Sequence, residues 1–450
     1  MDTQLLGPRL VVAGTHSGAG KTTVATGLLA ALRDAGHRPA AAKVGPDFID
    51  PGYHSLACGR PPRNLDAWLC GIDAIGPLAG RAGGSGDADV LVVEGVMGLF
   101  DGAADGSPSS TADIARALDA PVVLVVDAAA LSSSVAAVVH GFATLDPTVR
   151  VGGVILNRVA SDGHRQLLLE AIAPLGVPVL GTLRRDDRMV WRDRHLGLVP
   201  VAERPAEVAA TLDVLAAAVA DGIDLAAVMA LARSAPDRRV GAVALPPACG
   251  RTRVAVAAGR AFTFTYTDTL EALTAAGAEI VAFDPLRDPA LPEGVDGLVV
   301  GGGFPETYAA ELAANRPLLV DVAGRVGNGL TTWAECGGLG WLCTELDGHP
   351  MAGAVPAAAT MTDRLRLGYR DATTTVESPL GPAGTALRGH EFHYSRVEPG
   401  GDALDLRSRF ASGHDGHATP SLIATYLHHH PGGDPSIVAN FVARCAGMKG

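Results

Sequence analysis

A lysine, two threonines and a run of glycines carry the first recognisable chemistry. Gly14-Thr-His16-Ser-Gly18-Ala-Gly20-Lys21-Thr22-Thr23 joins an apolar stretch, Leu10–Ala13, to a helical pattern. In that setting backbone N–H groups and a helix N-terminus face an anion, Lys21 adds a point charge, and Thr22 offers a hydroxyl to Mg²⁺. The first glycine lies one residue further from Gly20 than in the strict phosphate-loop pattern, so the loop is a stretched one. With Gly20-Lys21-Thr22 intact, the spacing predicts nucleotide binding by Gly18, Gly20, Lys21, Thr22 and Thr23. A second, acidic metal partner is expected at the end of a nearby strand. Val90-Leu-Val-Val-Glu94 supplies it in Glu94, and Asp101 follows in a turn-like Val96–Gly102 segment.

Two further segments hold reactive side chains. Lys43-Val-Gly-Pro-Asp47-Phe-Ile-Asp50-Pro-Gly-Tyr53-His54 combines a cation, two carboxylates and a histidine within twelve residues. Composition alone reads it as a loop with capping aspartates. Thr331-Thr-Trp-Ala-Glu335-Cys336-Gly337-Gly338 sets a cysteine between an apolar strand pattern and a glycine-rich helix start. Such a turn exposes the sulfur, and the helix N-terminus favours its thiolate. A lone cysteine is ordinarily an inert, buried one. Two other stretches argue for a nucleophile. Gly301-Gly302-Gly303 can offer N–H groups that form an oxyanion hole with Gly337. Tyr426-Leu-His428-His429-His430 supplies a base. His390-Glu391-Phe392-His393 suggests zinc, but a His-Glu-x-x-His helix would need histidine at 394, where Tyr394 stands. That stretch is assigned a structural or interdomain role.

The elements that position these groups follow from hydrophobic patterning. Leu10–Ala13, Pro39–Val44, Val90–Val93, Pro121–Val126, Val151–Leu156 and Val177–Leu180 are short, nearly unbroken apolar runs. Strands covered on both faces by crossover helices read this way, so a doubly wound parallel α/β sheet is predicted. Thr22–Gly36 carries one helical stripe, Val24, Leu28 and Leu32 with Ala25 and Leu29, closed by Gly36. Around 236–252 the pattern lapses into prolines, charges and Cys249-Gly250, which reads as a linker between domains at 1–235 and 253–450. The alternation then restarts with Val254–Ala258, a helix opened by an Asp268/Glu271 capping box, Ile280–Phe283 and Leu298–Val300.

Of the 450 residues 48% are hydrophobic and 19% charged, which suits large folded domains. Gly (56) and Pro (30) form about a fifth of the chain without a three-residue period, which excludes collagen and fits many tight turns. The net charge of −12 argues against a nucleic-acid partner. No apolar run reaches the length of a membrane span, and no secretory signal is read at Met1-Asp2. Six scattered cysteines, none spaced Cys-x-x-Cys, point to a cytoplasmic protein with free thiols.

The stretched loop resembles the dethiobiotin synthetase-like branch of phosphate-loop enzymes. Partitioning and septum-placement ATPases of the same branch carry a signature lysine where His16 stands, so the likeness to those switches is weaker. The Lys43–His54 block, Arg63-Asn64-Leu-Asp66, Glu94–Gly102 and Arg194-His195-Leu-Gly-Leu198 are similar to the cobyrinic and hydrogenobyrinic acid a,c-diamide synthases. Cys336, the Gly301–Gly303 run and His428 resemble a class I glutamine amidotransferase, expected as a flavodoxin-like α/β domain. Ala334 replaces a common first glycine of its nucleophile turn. His430 stands where that family carries a glutamate, leaving the third triad member open.

The resemblance implies ATP-dependent amidation of two carboxylates of a corrin polycarboxylate, with L-glutamine as nitrogen donor and Mg²⁺ as cofactor. It implies roles for Lys21, Lys43 and Asn157 at the nucleotide, with Thr22, Glu94 and one of Asp47 or Asp50 at the metal; Asp47 is the preferred choice. It assigns Asp50, Tyr53, His54, Arg63 and Asp101 to the substrate, and Cys336, His428 and His430 to catalysis. Local cations for the acidic substrate would come from Arg60, Arg63, Arg158 and Arg184–Arg194 with His195. Nickel-sirohydrochlorin a,c-diamide synthase and cobyric acid synthase are the neighbouring alternatives, and a nucleotide-switched binding protein is the competing class. The sequence leaves a homodimer open.

Overall fold

The computed structural model describes residues 3–61, 63–83, 87–191, 193–194 and 197–447, with backbone alone at 193, 194 and 197. The Arg194–Leu198 motif therefore lies largely outside the described side chains, and His195 lies outside the described residues. The chain divides into two units, Met1–Val243 and Ala244–Gly450.

The first unit is a seven-stranded sheet in the order Arg63–Leu65, Pro39–Val44, Val90–Glu94, Arg9–Gly14, Val122–Asp127, Val151–Val159, Val179–Arg184. Every neighbouring pair is parallel. The six apolar runs are all strands of this sheet; the four central ones are buried as double-sided cover requires, whereas the outer strand Val179–Arg184 is only partly buried. The three-residue edge strand Arg63–Leu65 has too short a run to be seen by pattern. Helix Lys21–Asp34 buries Val24, Ala25, Leu28, Leu29 and Leu32 against the sheet, and the chain leaves it through Gly36. Because the strands are parallel, all their C-terminal ends meet at one rim. The loops after Gly14, Val44 and Glu94 therefore converge there.

The segment read as a linker contains a strand. Arg238–Gly241 pairs antiparallel with Thr3–Leu6, and buried Arg9 clamps the approach by donating to Pro236 O (2.8 Å) and Leu118 O (2.6 Å). Charged residues on so short a strand hid it from apolar periodicity.

The second unit has a six-stranded sheet ordered Ala278–Phe283, Thr252–Ala257, Gly297–Val300, Thr331–Glu335, Leu422–Thr425, His417–Thr419. The first five strands are parallel and His417–Thr419 is an antiparallel edge. A second sheet is built on the long antiparallel hairpin Ala358–Thr374 with Ala386–Glu398. Arg364, Arg366, Tyr369 and Arg370 break up any apolar run there. Helix Thr267–Ala275 starts after Tyr266, so Asp268 is a buried first-turn residue and the expected capping box is absent.

Candidate active sites

At the rim of the first sheet, Gly20 adopts φ 98° at the start of the helix, a backbone that L side chains resist. A Cβ there would lie 2.0 Å from Asn157 Nδ2, so only glycine fits. Asn157 Nδ2 donates to Ala19 O (3.1 Å) and Arg158 to Gly18 O (3.0 Å), bracing the loop from the strand end beneath it. Lys21 Nζ folds back onto Met97 O (2.6 Å) and His16 O (3.3 Å). Burial first, then the neighbouring Lys43, lowers the pKa of Lys21 to about 8.

In-register pairing sets Lys43 directly beside Glu94. Lys43 Nζ lies 2.6 Å from Asp50 Oδ2, 2.8 Å from Glu94 Oε1 and 3.2 Å from Gly95 O. Thr22 Oγ1 donates to the same Glu94 Oε1 (2.7 Å) and reaches Asp50 Oδ2 at 3.2 Å. His54 Nε2 stands 2.5 Å from the other Glu94 oxygen. Burial opposes the charges of Glu94 and Lys43. Lys43 and His54 outweigh it for Glu94, whose pKa falls well below the usual range. Asp50, Glu94 and Asp47 do so for Lys43, whose pKa rises. The cluster is a charged, buried network in which the Asp50 and Glu94 carboxylates are paired and His54 Nδ1 has no hydrogen-bond partner among the described residues.

In the second unit Cys336 sits between strand Thr331–Glu335 and the short helix Gly337–Leu342, at φ 48° and ψ −103°. That sparsely populated backbone is a local strain held by the flanking elements. Cys336 N–H donates to Thr425 O (2.8 Å), fixing the turn to the adjacent strand. A Cβ on Gly302 would lie 2.5 Å from His428 Cε1, 3.1 Å from His428 Nε2 and 3.4 Å from Cys336 Cβ. Gly302 thus marks the space that thiol and imidazole share. Gly337 lies against Gly303, its would-be Cβ 3.1 Å from Gly303 N. The expected thiolate preference is reversed. Burial first, and then Glu306, pushes the Cys336 thiol well above its ordinary pKa, although the Gly337 N–H pulls the other way. A six-residue helix is a weak dipole against that burial.

Glu335 was not singled out from sequence. Its Oε1 accepts from His429 N–H (3.1 Å) and Trp333 Nε1 (3.1 Å) and lies 2.9 Å from His429 Nδ1. Its Oε2 faces His428 Nδ1 at 3.6 Å. Although burial opposes the charge, the His428 and His429 contacts lower the Glu335 pKa to about 2.

Residues 10–197 match the CobQ/CobB/MinD/ParA nucleotide binding domain, and residues 253–435 match the CobB/CobQ-like glutamine amidotransferase domain. Hydrogenobyrinate a,c-diamide synthase of Streptomyces coelicolor is 51% identical, with 97% of each chain covered. The chain belongs to the cobyrinate and hydrogenobyrinate a,c-diamide synthase family. Hydrogenobyrinate a,c-diamide synthase of Mycobacterium tuberculosis is 48% identical over 97% of this chain and 98% of its own. Cobyrinate a,c-diamide synthase of Syntrophotalea carbinolica is 43% identical over 98% and 99%. As a member of this family the chain is an enzyme, a nucleotide-binding ligase with a glutamine amidotransferase domain.

Within this diamide synthase the expected residues divide. Gly18, Gly20, Lys21, Thr22, Lys43, Glu94 and Asn157 gather at the phosphate loop, and Cys336, His428, Gly302, Gly303 and Gly337 at the thiol. Thr23 follows Thr22 in the first helical turn. Asp47 and Asp50 meet different partners. Asp47 Oδ1 accepts from Ile49 N and Asp50 N and so caps the next helix, with its other oxygen 3.9 Å from Lys43, while Asp50 reaches Thr22. Tyr53 and His54 are buried rather than open to substrate: the Tyr53 hydroxyl donates to Val199 O (2.6 Å), and His54 backs Glu94. Arg63 is buried, and Asp101 accepts from Gly98 N–H (2.8 Å) within its turn. Arg60 and Arg158 are engaged with Asp87 and Asp127, and Arg184 and Arg188 with Asp162 and Asp186. His430 turns to Tyr266 (ring centroids 4.5 Å) and Asp268 (3.7 Å), so Glu335 is the carboxylate at His428. Among the described residues no helix is long and apolar enough to cross a membrane.

Proposed function

We propose that this chain converts cobyrinic or hydrogenobyrinic acid to its a,c-diamide in cobalamin biosynthesis, using ATP and glutamine. The observation that carries the reading is the presence in one chain of two built sites: the Thr22–Lys43–Asp50–Glu94 network under a phosphate loop, and the Cys336–His428 pair around Gly302. A carboxylate resists ammonia until one oxygen becomes a leaving group. Transfer of the ATP γ-phosphoryl group to a substrate carboxylate gives ADP and an acyl phosphate. Ammonia then attacks the acyl carbon and phosphate departs, leaving the amide. Lys21 and Lys43 neutralise charge on the phosphoryl oxygens, which is most of what in-line transfer requires.

Mg²⁺ fits the oxygens of Thr22, Asp50 and Glu94, a hard donor set in which the Thr22 hydroxyl meets the same two carboxylate oxygens that hold the Lys43 ammonium. When bound, Mg²⁺ supplies charge neutralisation at the phosphates.

Ammonia arises when Cys336 Sγ attacks the glutamine side-chain amide and His428 accepts the thiol proton, then passes it to the departing nitrogen. The Gly303 and Gly337 N–H groups take the developing oxyanion. Water releases glutamate from the thioester. Cys336→Ala should abolish glutamine-dependent amidation and retain amidation with high ammonia. Mass spectrometry of cobyrinic and hydrogenobyrinic acid after incubation with ATP, Mg²⁺ and either nitrogen source reads both arms. Full glutamine-dependent amidation by Cys336→Ala would overturn the reading.

A further inference from the structure

We infer that Glu335 is the positioning carboxylate of the glutaminase site, completing a triad with Cys336 and His428 from the residue that immediately precedes the nucleophile. The inference rests on the reading of Cys336 and His428 as the glutaminase pair and adds to it a residue that reading does not use.

The geometry follows from strand register. Glu335 is the last residue of its strand and pairs with Thr425 on the neighbour, whose chain continues through Tyr426 to His428. The side chains of Trp333 and Glu335 share one face of the strand, and Trp333 Nε1 donates to Glu335 Oε1. His429 adds its backbone N–H and ring nitrogen to the same oxygen. One carboxylate oxygen is thereby fixed by Trp333 and His429, and the other is aimed at His428 Nδ1. The opposite edge of the His428 ring, Cε1 and Nε2, faces Gly302 and the cysteine. A proton held on Nδ1 toward Glu335 leaves the Nε2 lone pair to take the proton of the thiol. The strained turn at Cys336 lets consecutive residues serve one histidine from two sides, since it breaks the alternation that would otherwise send their side chains apart.

A second device holds the ring in place. His428 and His390 exchange backbone hydrogen bonds (3.0 and 3.1 Å), pinning the histidine segment to the long hairpin strand. The titratable groups around the pair are Glu335 beside Cys336, His429 next along the chain and His390 across the bridge. Glu306, Glu335 and Asp415 act on the thiol, and the thiol in turn acts on Tyr426. Of the carboxylates, Glu335 is the one at His428 Nδ1.

Glu335→Gln keeps the volume and an oxygen for Trp333 and His429 but presents an NH₂ group to His428. That favours the tautomer protonated on Nε2, which cannot accept from sulfur. In the full chain, kcat for glutamate release from glutamine should fall about 10²-fold or more, with KM little changed and ammonia-dependent amidation retained. The pH midpoint for alkylation of Cys336 by iodoacetamide should move down, because the Glu335 carboxylate, which raises the pKa of the neighbouring thiol, has lost its charge. Glu335→Asp keeps the charge at shorter reach, so it should show a smaller fall and a smaller shift. A fall in kcat without a midpoint shift in either variant would mean a structural role only, and no fall would mean no role. Both results overturn the inference. If Glu335→Gln also loses ammonia-dependent amidation through misfolding, the Asp variant decides by the same two readouts. Glutamine hydrolysis by Cys336→Ala would instead sink the underlying pair, a distinguishable failure.

Discussion

Gly302→Ala adds one methyl group where thiol and imidazole meet, and its effect can be worked from distances. The new Cβ would stand 2.5 Å from His428 Cε1, whereas carbon–carbon contacts settle at about 3.5–4.0 Å. One partner must therefore move by about 1 Å. The glycine cannot easily yield, since Gly302 and Phe264 exchange backbone hydrogen bonds (3.0 and 3.2 Å). Its backbone lies outside the left-handed region, so alanine adds no φ strain to confuse the result. The imidazole is the part that shifts. A misplacement of about 1 Å in a catalytic group costs about 10²-fold in rate, or about 2.7 kcal/mol of transition-state stabilisation. Glutamine-dependent amidation and glutamate release should both fall by that factor. Ammonia-dependent amidation should be unchanged, because the phosphate-loop site is untouched. A Gly302→Ala enzyme whose glutaminase kcat/KM stays within about threefold of the parent would refute this account of the site.

Lys21→Ala and Glu94→Gln should each lower amidation by about 10²–10³-fold with either nitrogen source, since both remove charge at the transferred phosphoryl group or its metal. Near-normal ammonia-supported synthesis by Lys21→Ala would contradict that. Asp50→Asn should impair amidation more than Asp47→Asn, and both more than free glutaminase activity. Equal, unaltered rates for both amidations would return the loop to a structural role, whereas a partly amidated product would point to handling of the second carboxylate. His390 has its pKa lowered to about 3 by burial, with His428 and Arg370 adding to the effect. The unfolded chain therefore takes up this proton first as pH falls, near the ordinary value of 6.5, and stability drops between that pH and about 3. The slope approaches ~1.4 kcal/mol per pH unit. Urea midpoints at pH 6.5 and 5.5 should converge in His390→Gln relative to the parent.

How much was legible in the sequence depended on how local each signal was. Apolar runs long enough to cross a sheet identified six parallel strands of the first unit, because burial on both faces leaves a near-continuous pattern. The three-residue strand Arg63–Leu65, the charged strand Arg238–Gly241 and the polar hairpin Ala358–Glu398 left none, because the first is too short for a pattern and polar or charged residues interrupt the apolar alternation of the others. The phosphate loop was readable because glycine, lysine and threonine act at fixed offsets from one helix start. The sequence by itself located the phosphate loop, the strand-end Glu94, the glycine-flanked turn at Cys336 and the histidine run at His428, each by spacing within a few residues. Only the tertiary structure decided which carboxylates they meet. Lys43 sits against Glu94 because their strands are in-register neighbours, Asp50 rather than Asp47 reaches Thr22 because Asp47 is spent on its own helix cap, and Glu335 rather than His430 stands at His428 because strand order brings Thr425 beside it. Charges select partners by distance across strands, and local periodicity does not encode that order.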